Sequence, residues 1–377
     1  MTTRIRSRNG IIFPPGSSFR YSAGTTQVGA SVETFSEDCI DVADSYGLDH
    51  PFTLNREFLV YQTPLNGTAL NPNGSPQTRF DNLIPTPFTR IVSHPATFPT
   101  APSSSLVMTK VLSLTNPSRP VVDLPVFFKE LKELPDLVRL AGKTLLKRGA
   151  GAYLTYEFGW KPLIGDLRKL VNFSDHFSKR ERVIRSIFEG GGVKRRVDFS
   201  DHTVTSQRLL FEYSLGTSIN AMEYTVSRRR IWGTTRWVPD STRMPPRTDS
   251  EYRSLARRAV LGLDITPATL WEAMPWSWLA DWFGSMGDYL GAHRNTVPAG
   301  HQNGNVMTQT DTYKTIVREP GLDVHSNTVK GGDMQRHRVS KLRVVQNNPT
   351  IAAFLPFLDK RQVSILGALS VLRGTRK

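Results

Sequence analysis

Basic side chains at helical spacing are the residues of this chain best suited to do chemistry, and that chemistry is phosphate binding. One stripe holds Arg139, Lys143, Lys147 and Arg148, a second holds Arg253, Arg257 and Arg258, and Arg168 and Lys169 add to them. Cations fixed on a rigid helix face release counterions from a polyanion at a small ordering cost. Few acidic residues stand one turn away to offset them, which favours RNA binding over the alternative, an ordinary solvated helix face.

Catalytic patterns have little support. Gly142-Lys143-Thr144 ends like a phosphate-binding loop, but Leu137 stands where that loop requires glycine, and the segment has a helical pattern. The chain has neither a G-x-S-x-G nor an HExxH motif, and its histidines are not at metal-ligand spacing. Asp198, Asp201 and His202 lie in a polar, strand-like stretch without a supporting motif. We therefore expect no catalytic residue, no metal site and no cofactor.

The positive charge is unevenly distributed along the chain. The whole chain of 377 residues carries a net charge of +15. Residues 1–100 have seven Lys/Arg and eight Asp/Glu, whereas the remainder has 41 and 25, a net charge of +16. This distribution indicates a polyanionic partner for the later two-thirds, with a generally basic surface as the alternative.

An acidic cluster lies near the N-terminus and comprises Glu33, Glu37, Asp38, Asp41, Asp44 and Asp49. A polyanion would be repelled by this cluster, so we expect it to face away from RNA, toward solvent or a protein receptor. An acidic loop without a role is the alternative.

Composition also limits the kind of protein. A hydrophobic content of 38% is enough for sizeable cores and too high for disorder. Cys39 is the single cysteine, so no intrachain disulfide is possible. The N-terminal segment lacks the apolar stretch of a signal peptide, and no run reaches the length of a membrane span. We therefore expect synthesis and assembly in the cytoplasm.

Aromatic residues are concentrated in the segment from Leu270 to Phe283. Pro275 suits the first turn of a helix, and Trp278 and Trp282 would then lie one turn apart on one face. The apolar neighbours favour core packing over a ligand platform. We therefore predict a structural role for four tryptophans, Trp160, Trp276, Trp278 and Trp282. Asp281 among them needs a partner, for which Arg294 or a helix N-terminus is expected.

A second aromatic group leaves two interpretations open. Trp232, Trp237 and Tyr224 lie near the basic run Arg228–Arg230. They are suited either to stacking on RNA bases or to the core of a sheet with flanking charges.

The chain alternates between strand-like and helical segments, in the order β, α, β, α, β, α. The strand-rich segments are 1–124, 190–247 and 294–350, and the helical ones are 125–189, 248–293 and 351–377. Phe58–Tyr61 and Leu106–Met108 are expected to be short strands, and Gly190–Gly192 to end a helix. The last helix is expected to follow a cap at 347–350, with a kink or division at Pro356. The order favours an α+β fold with segregated layers over a parallel α/β fold.

Two motifs carry a family resemblance. The segment from Leu154 to Leu163 (LTYEFGWKPL), followed about a hundred residues later by that from Pro275 to Phe283 (PWSWLADWF), resembles the maturation proteins of single-stranded RNA bacteriophages. The similarity is sharp in these motifs, and length, basic charge and element order agree over most of the chain.

This resemblance implies an elongated α+β molecule with a helical bundle at one end and a twisted antiparallel sheet at the other. It also implies a virion protein, present in one copy per particle, that takes the place of a coat-protein dimer. The helical segments would face the capsid and grip the genomic RNA, while the β segments would bind a bacterial pilus. The mechanism would be binding and delivery of RNA, without catalysis.

Other functions stay open at this point. A cellular RNA-binding regulator or RNA-processing protein would also fit a basic chain, but it predicts base-stacking aromatics or a metal-binding acidic cluster. A lysis role, known in some members of the family, is not tested by any residue pattern here. The host, the pilus type, the receptor-contact residues, the coat-protein contacts and the bound RNA stem-loops are not encoded in a recognisable motif.

Overall fold

The structure is a computed structural model that describes residues 2–29, 31–42, 49–84, 97–139, 145–214, 217–274, 277–320, 328–353 and 359–373. Within these ranges, the side chains of residues 133–139, 145–148, 211–214, 217 and 372–373 are not described.

Helices and antiparallel sheets both contribute heavily to the fold. The helices are α1 Ser104–Thr115, α2 Leu124–Arg139, α3 Leu145–Thr155, α4 Lys161–Val171, α5 Phe173–Phe188, α6 Asp249–Leu261, α7 Pro267–Ala273, α8 Ser277–Ala280, α9 Met286–Ala292 and α10 Lys360–Arg373, with a π-helical turn at Tyr156–Trp160. The strands are β1 Thr3–Asn9, β2 Ile12–Phe13, β3 Ser17–Arg20, β4 Thr25–Val28, β5 Val32–Glu33, β6 Phe35–Val42, β7 Phe52–Gln62, β8 Leu65–Leu70, β9 Pro76–Leu83, β10 Val193–Ser214, β11 Thr217–Pro239, β12 Ala299–Arg318 and β13 Met334–Val345.

The predicted α+β class is confirmed. Helix makes up 33% and strand 40%, and each pairing whose register is described is antiparallel. Seven strands form one sheet in the order β1-β6-β7-β13-β12-β11-β10, and four form another in the order β4-β3-β9-β8. Parallel α/β topology would have required parallel neighbours joined by crossover helices.

The chain divides into two compact units. Unit 1 comprises residues 1–102, 198–232 and 305–345, and unit 2 comprises residues 103–197, 233–304 and 346–377.

The hydrophobic clusters of unit 1 consist largely of strand residues. Leu65, Phe80 and Ile219 belong to one buried cluster, and Ile316 and Met334 belong to another. Strand β11 explains how the sequence makes such a face, because its odd-numbered residues from 219 to 231 are buried or nearly so while Tyr224 and others at even positions are exposed.

A buried ion pair also holds unit 1 together. The Arg336 side chain is 2% exposed and lies 3.0 Å from Glu57 Oε1 on β7. A second N–H of the guanidinium donates to the carbonyl of Glu33. Burying these charges is tolerable because each is paired and hydrogen-bonded.

Unit 2 is built on helix packing, with α5 against α6. Ile184 of α5 packs on Tyr252, Ala256 and Ala259, which form the apolar face of α6. The start of α6 is a capping box in which Thr248 Oγ1 accepts from the Glu251 N–H and the Glu251 carboxylate accepts from the Thr248 N–H. Thr248 is therefore the cap of α6.

The predicted stop of α5 is also confirmed. The helix ends at Phe188, and Gly191 and Gly192 adopt positive φ angles of 69° and 116°. Glycine adopts this backbone region without the steric cost of a Cβ.

The prediction of a strand at Leu106–Met108 is wrong, because these residues lie in α1. Ser103 caps this helix by accepting from the Leu106 N–H. Val107, Met108, Val111 and Leu112 form its buried face. Three consecutive apolar residues are compatible with either structure, and the wider spacing of the buried face favours the helix.

The last helix starts later than predicted. Residues 351–353 are not helical, and Ala353 forms an isolated antiparallel bridge with Gly284. Helix α10 begins at Lys360, where Asp359 and Gln362 exchange reciprocal backbone-to-side-chain hydrogen bonds of 2.7 and 2.9 Å. This cap replaces the one expected at 347–350, and Pro356 lies outside the described residues.

Candidate nucleic-acid interface

The two units differ strongly in charge. Unit 2 has 30 Lys/Arg and 17 Asp/Glu, a net charge of +13, whereas unit 1 has 18 and 16, a net charge of +2. Most of the excess positive charge of the chain therefore belongs to the helical unit, and a polyanion would be attracted to that unit first.

Helix α6 presents two of its predicted cations to solvent. Arg253 and Arg257 are exposed and one turn apart. Arg258 is also exposed, but its guanidinium binds Asp264 at 2.6 Å. A paired guanidinium has fewer N–H groups left for a phosphate, so Arg253 and Arg257 are the stronger candidates.

Helix α4 places its two predicted cations in its last turn. Arg168 and Lys169 are exposed, and Lys169 forms an ion pair with Asp166 at 2.7 Å. Their position is favourable for the helix, because cations stabilise the negative end of its dipole.

The first predicted stripe cannot be placed in full. Arg139 is the last residue of α2, and Lys147 and Arg148 lie in α3, but the side chains of all three fall outside the described residues. Lys143 falls outside them altogether. These four residues stay predictions.

Sequence reasoning missed a cleft of about 420 Å³ in unit 2, here called the basic cleft. Its cationic lining consists of Arg119, Lys179, Arg180 and Arg195, joined by His176. His176, Lys179 and Arg180 stand at positions i, i+3 and i+4 of α5, a local signal that one face was basic. No local pattern connects this face to Arg119, in the loop between α1 and α2, or to Arg195 on β10.

The hydrogen bonds and the pKa of Arg180 show the electrostatic environment of the cleft. Its guanidinium donates to the carbonyls of Asn116, Pro117 and Arg119. Burial, with smaller contributions from the neighbouring charges of Arg119 and Arg195, lowers the pKa of Arg180 to about 10. The contributions of Arg119 and Arg195 reflect repulsion between positive charges, which an anion would relieve.

The arginine side chains of the basic run on β11 already contact other parts of unit 1. Arg228 binds Asp201 in an ion pair, and Arg230 lies 3.4 Å from Asp311. Arg229 lies over the Phe98 ring, 4.7 Å from its centroid, and donates to the Pro99 carbonyl. These contacts favour a structural role for the run.

The aromatic residues near this run have different surroundings. Trp237 is 3% exposed and its Nε1 donates to Thr115 Oγ1 at 3.0 Å, so it belongs to a core. Tyr224 is 40% exposed on β11. Of the two interpretations, core packing therefore applies to Trp237, and base stacking is sterically open to the exposed face of Tyr224.

The two family-like motifs meet in unit 2. The Phe158 ring lies 4.6 Å from that of Trp278, which in turn makes an edge contact with Trp282 at 5.0 Å. Both tryptophans are partly buried, in keeping with structural roles. Trp160 is instead 44% exposed and is the last residue of the π-helical turn, so it does not lie in the core. Trp276 lies outside the described residues.

Asp281 binds a helix N-terminus, one of its two expected partners. Its Oδ1 accepts from the Gly287 N–H in the first turn of α9 at 2.9 Å, and its Oδ2 accepts from Trp271 Nε1 at 3.1 Å. The other expected partner is wrong, because Arg294 pairs with Asp123 at 3.2 Å and Glu272 at 2.9 Å. Burial raises the pKa of the Asp123 carboxyl. Desolvation also raises the pKa of Glu272, although the side chain of this residue is 49% exposed.

Two residues of the N-terminal acidic cluster are paired with arginines. Asp41 accepts hydrogen bonds from Arg4 and Arg6 of β1, and the Arg4 bond is the main cause that lowers the pKa of Asp41 to about 2. Glu37 binds Arg56 of β7. Asp44 lies outside the described residues. Through Asp41, the cluster therefore helps to attach edge strand β1 to its sheet, which sequence spacing alone did not indicate.

The described part of the chain lacks two further features, a membrane-spanning helix and a metal-ligand group. No helix there is both long and apolar enough to cross a membrane. Nor does that part contain a group of three or more His, Cys, Asp or Glu side chains placed to hold a metal ion.

Comparison with known proteins identifies the family. The family model for phage maturation protein matches residues 136–339, more than half of the chain and a range that includes both aromatic motifs. No curated protein matches the chain. On the strength of the family match, the chain belongs to the phage maturation protein family.

Proposed function

We propose that this maturation protein is a virion component that binds the genomic single-stranded RNA mainly through unit 2. The charge difference between the units carries this proposal: unit 2 has a net charge of +13 and unit 1 a net charge of +2. RNA binding in general depends on neutralising phosphates, so affinity is expected to follow the unit that has unpaired cations. Family membership supports the role in a phage particle.

The proposed RNA contacts are those predicted from sequence, with an order of importance drawn from the structure. Arg253, Arg257 and Arg168 come first, because they are exposed and no ion pair joins them to a described carboxylate. Lys169 and Arg258 come second, because each shares its charge with an aspartate. Arg139, Lys143, Lys147 and Arg148 complete the proposed set.

The remaining parts of the proposal concern assembly and entry. The protein takes the place of one coat-protein dimer in the shell, in one copy per particle, and the particle attaches through it to a bacterial pilus. The helical segments 125–189, 248–293 and 351–377 face RNA and capsid. The β segments 1–124, 190–247 and 294–350 contain all of unit 1, and the unit 1 part of them faces the receptor, as suits a nearly neutral unit. The elongated arrangement implied by the resemblance is part of the same proposal, and the protein delivers RNA without making or breaking a bond.

The test compares two double variants in binding to a labelled single-stranded RNA between 50 and 200 mM salt. Arg253→Gln with Arg257→Gln removes two exposed cations of α6, and Arg8→Gln with Arg79→Gln removes two exposed cations of unit 1. Each lost phosphate contact makes the negative slope of log affinity against log salt shallower by about 0.7. The slope of the α6 variant should therefore be shallower than that of the wild-type protein by about 1.4.

The unit 1 variant should keep the slope of the wild-type protein. Equal slopes in all three proteins would contradict the assignment to α6. Crosslinking on whole particles extends the test, since RNA crosslinks confined to unit 1 would reverse the proposed orientation.

A further inference from the structure

We infer that the basic cleft is a site for a phosphodiester of the RNA backbone, bound without regard to base sequence; this inference rests on the proposed function and names a site within it. The cleft differs from the exposed helix faces because its cations come from three separate elements. Arg119 belongs to the loop after α1, Lys179 and Arg180 to α5, and Arg195 to β10.

The first argument is charge. Four cations and His176 line the cleft, and none of its lining residues carries a carboxylate. Arg119, Lys179 and Arg195 make no ion pair with a described acidic side chain, whereas Arg185 on the same helix is bound by Glu181 at 3.0 Å and Asp249 at 2.7 Å. An anion entering the cleft would therefore supply the missing negative charge.

The second argument is rigidity. The loop that carries Arg119 is fixed by Asn116, which is 2% exposed and donates to the carbonyls of Gly291, Ala292 and Arg294 at 2.9–3.1 Å. The same loop is held on its other side by the Arg180 guanidinium, through the carbonyls of Pro117 and Arg119. A backbone fixed in this way positions its cation before binding, which lowers the entropy lost when a ligand is bound.

The third argument is the chemistry of the lining. A volume of about 420 Å³ admits a sugar-phosphate group, and the uncharged lining is made of Leu114, Val121, Val183, Thr115 and two prolines together with Asn116. Apart from His176 there is no aromatic ring on which a base could stack. Cations without base-edge or stacking partners recognise the backbone and carry no sequence information. Arg180 itself acts as a positioning residue, since its N–H groups bind carbonyls.

The experiment uses the full chain and three single-stranded oligonucleotides, oligo(U), oligo(A) and oligo(C). The cleft variant combines Arg119→Gln with Lys179→Gln, both exposed and away from the buried core. The matched control combines Arg182→Gln with Lys194→Gln, which removes two exposed cations from α5 and β10 outside the cleft lining. Thermal melting first establishes that both variants remain folded.

The expected result is a loss of affinity in the cleft variant that is similar for the three oligonucleotides, with a salt slope smaller by about 1.4. The control should keep both affinity and slope. Inorganic phosphate, compared with chloride at equal ionic strength, should raise the melting temperature of the wild-type protein and not that of the cleft variant.

Four outcomes would overturn the inference or its basis. Equal slopes in the cleft variant and the wild-type protein would remove the cleft as an RNA site while leaving the proposed function in place. A loss confined to one oligonucleotide would mean that the cleft reads bases. A phosphate effect without any RNA effect would mean that the cleft takes free phosphate. A wild-type protein that binds none of the oligonucleotides would contradict the proposed function itself.

Discussion

Asp281 offers the sharpest test of how the aromatic motif is held together. Its carboxylate accepts one hydrogen bond from the Gly287 N–H and another from Trp271 Nε1, so it joins the first turn of α9 to the indole of α7. In Asp281→Asn, the amide oxygen can keep one of these bonds, but the NH₂ group then faces the other donor. One charge-assisted bond is lost, together with the attraction between the carboxylate and the helix N-terminus.

The magnitude follows from these two losses. A hydrogen bond to a charged group contributes about 1.5–3 kcal/mol, and a charge at a helix terminus contributes about 0.3–1 kcal/mol. We therefore expect Asp281→Asn to lower the free energy of unfolding of unit 2 by about 2–4 kcal/mol. The Asp281 side chain has little room to relax, because it lies close against Gly287. A Cβ atom added at Gly287 would be only 2.6 Å from Asp281 Oδ2.

Urea unfolding followed by tryptophan fluorescence is the appropriate assay. Six of the seven tryptophans belong to unit 2, so the signal reports mainly on that unit even if the two units unfold separately. The matched control is Asp288→Asn, which removes a carboxylate from the first turn of the same helix. It should cost less than about 1 kcal/mol. If Asp281→Asn cost no more than the control, the two hydrogen bonds would not stabilise the motif and this reasoning would be refuted.

Two further predictions concern acid stability and helix capping. The folded-state pKa of Asp41 is lowered from 3.8 to about 2, so its contribution to stability is present above about pH 4 and is lost as the pH falls toward 2. The protection factors of the β1 amides, from which the intrinsic pH dependence of exchange is removed, should fall over that range, and Asp41→Asn should show low protection at every pH. Wild-type protection factors that stay constant over the range would contradict the role of the Arg4 and Arg6 contacts. Thr248→Ala should destabilise unit 2 by about 0.5–2 kcal/mol because it removes the cap of α6. Thermal melting measures this loss, with Ser250→Ala, at an exposed neighbouring residue, as the control. Equal melting temperatures for the two variants would show that the capping box is dispensable.

Much of the fold could be predicted because it depends on local periodicity. The glycine stop after α5 was found where the sequence pattern places it. The buried face of α6 and the alternation along β11 likewise follow the local order of apolar and polar residues. The failure at α1 has the same origin. Leu106–Met108 is too short to fix a period, and the residues that complete its helical face, Val111 and Leu112, were assigned no role.

The partners of charged side chains were harder to predict, because they depend on tertiary contacts. Asp281 was recognised as a carboxylate in need of a partner, and a helix N-terminus was one of two expected solutions. The choice against Arg294 depended on Asp123 and Glu272, which sequence spacing does not bring near it. Similarly, nothing local in the acidic N-terminal segment indicates that Arg4 and Arg6 neutralise Asp41.

The same limit explains why the basic cleft was missed and why it matters for function. A count of cations treats Arg228 and Arg195 alike, yet the first is bound to Asp201 while the second lines a cleft without carboxylates. Attraction for a polyanion depends on charge that the protein itself leaves uncompensated. The net charge of a segment therefore overestimates the attraction of some surfaces and underestimates that of others. Among the described residues, one set of uncompensated cations lies where Arg119, α5 and β10 meet, and that convergence requires the fold.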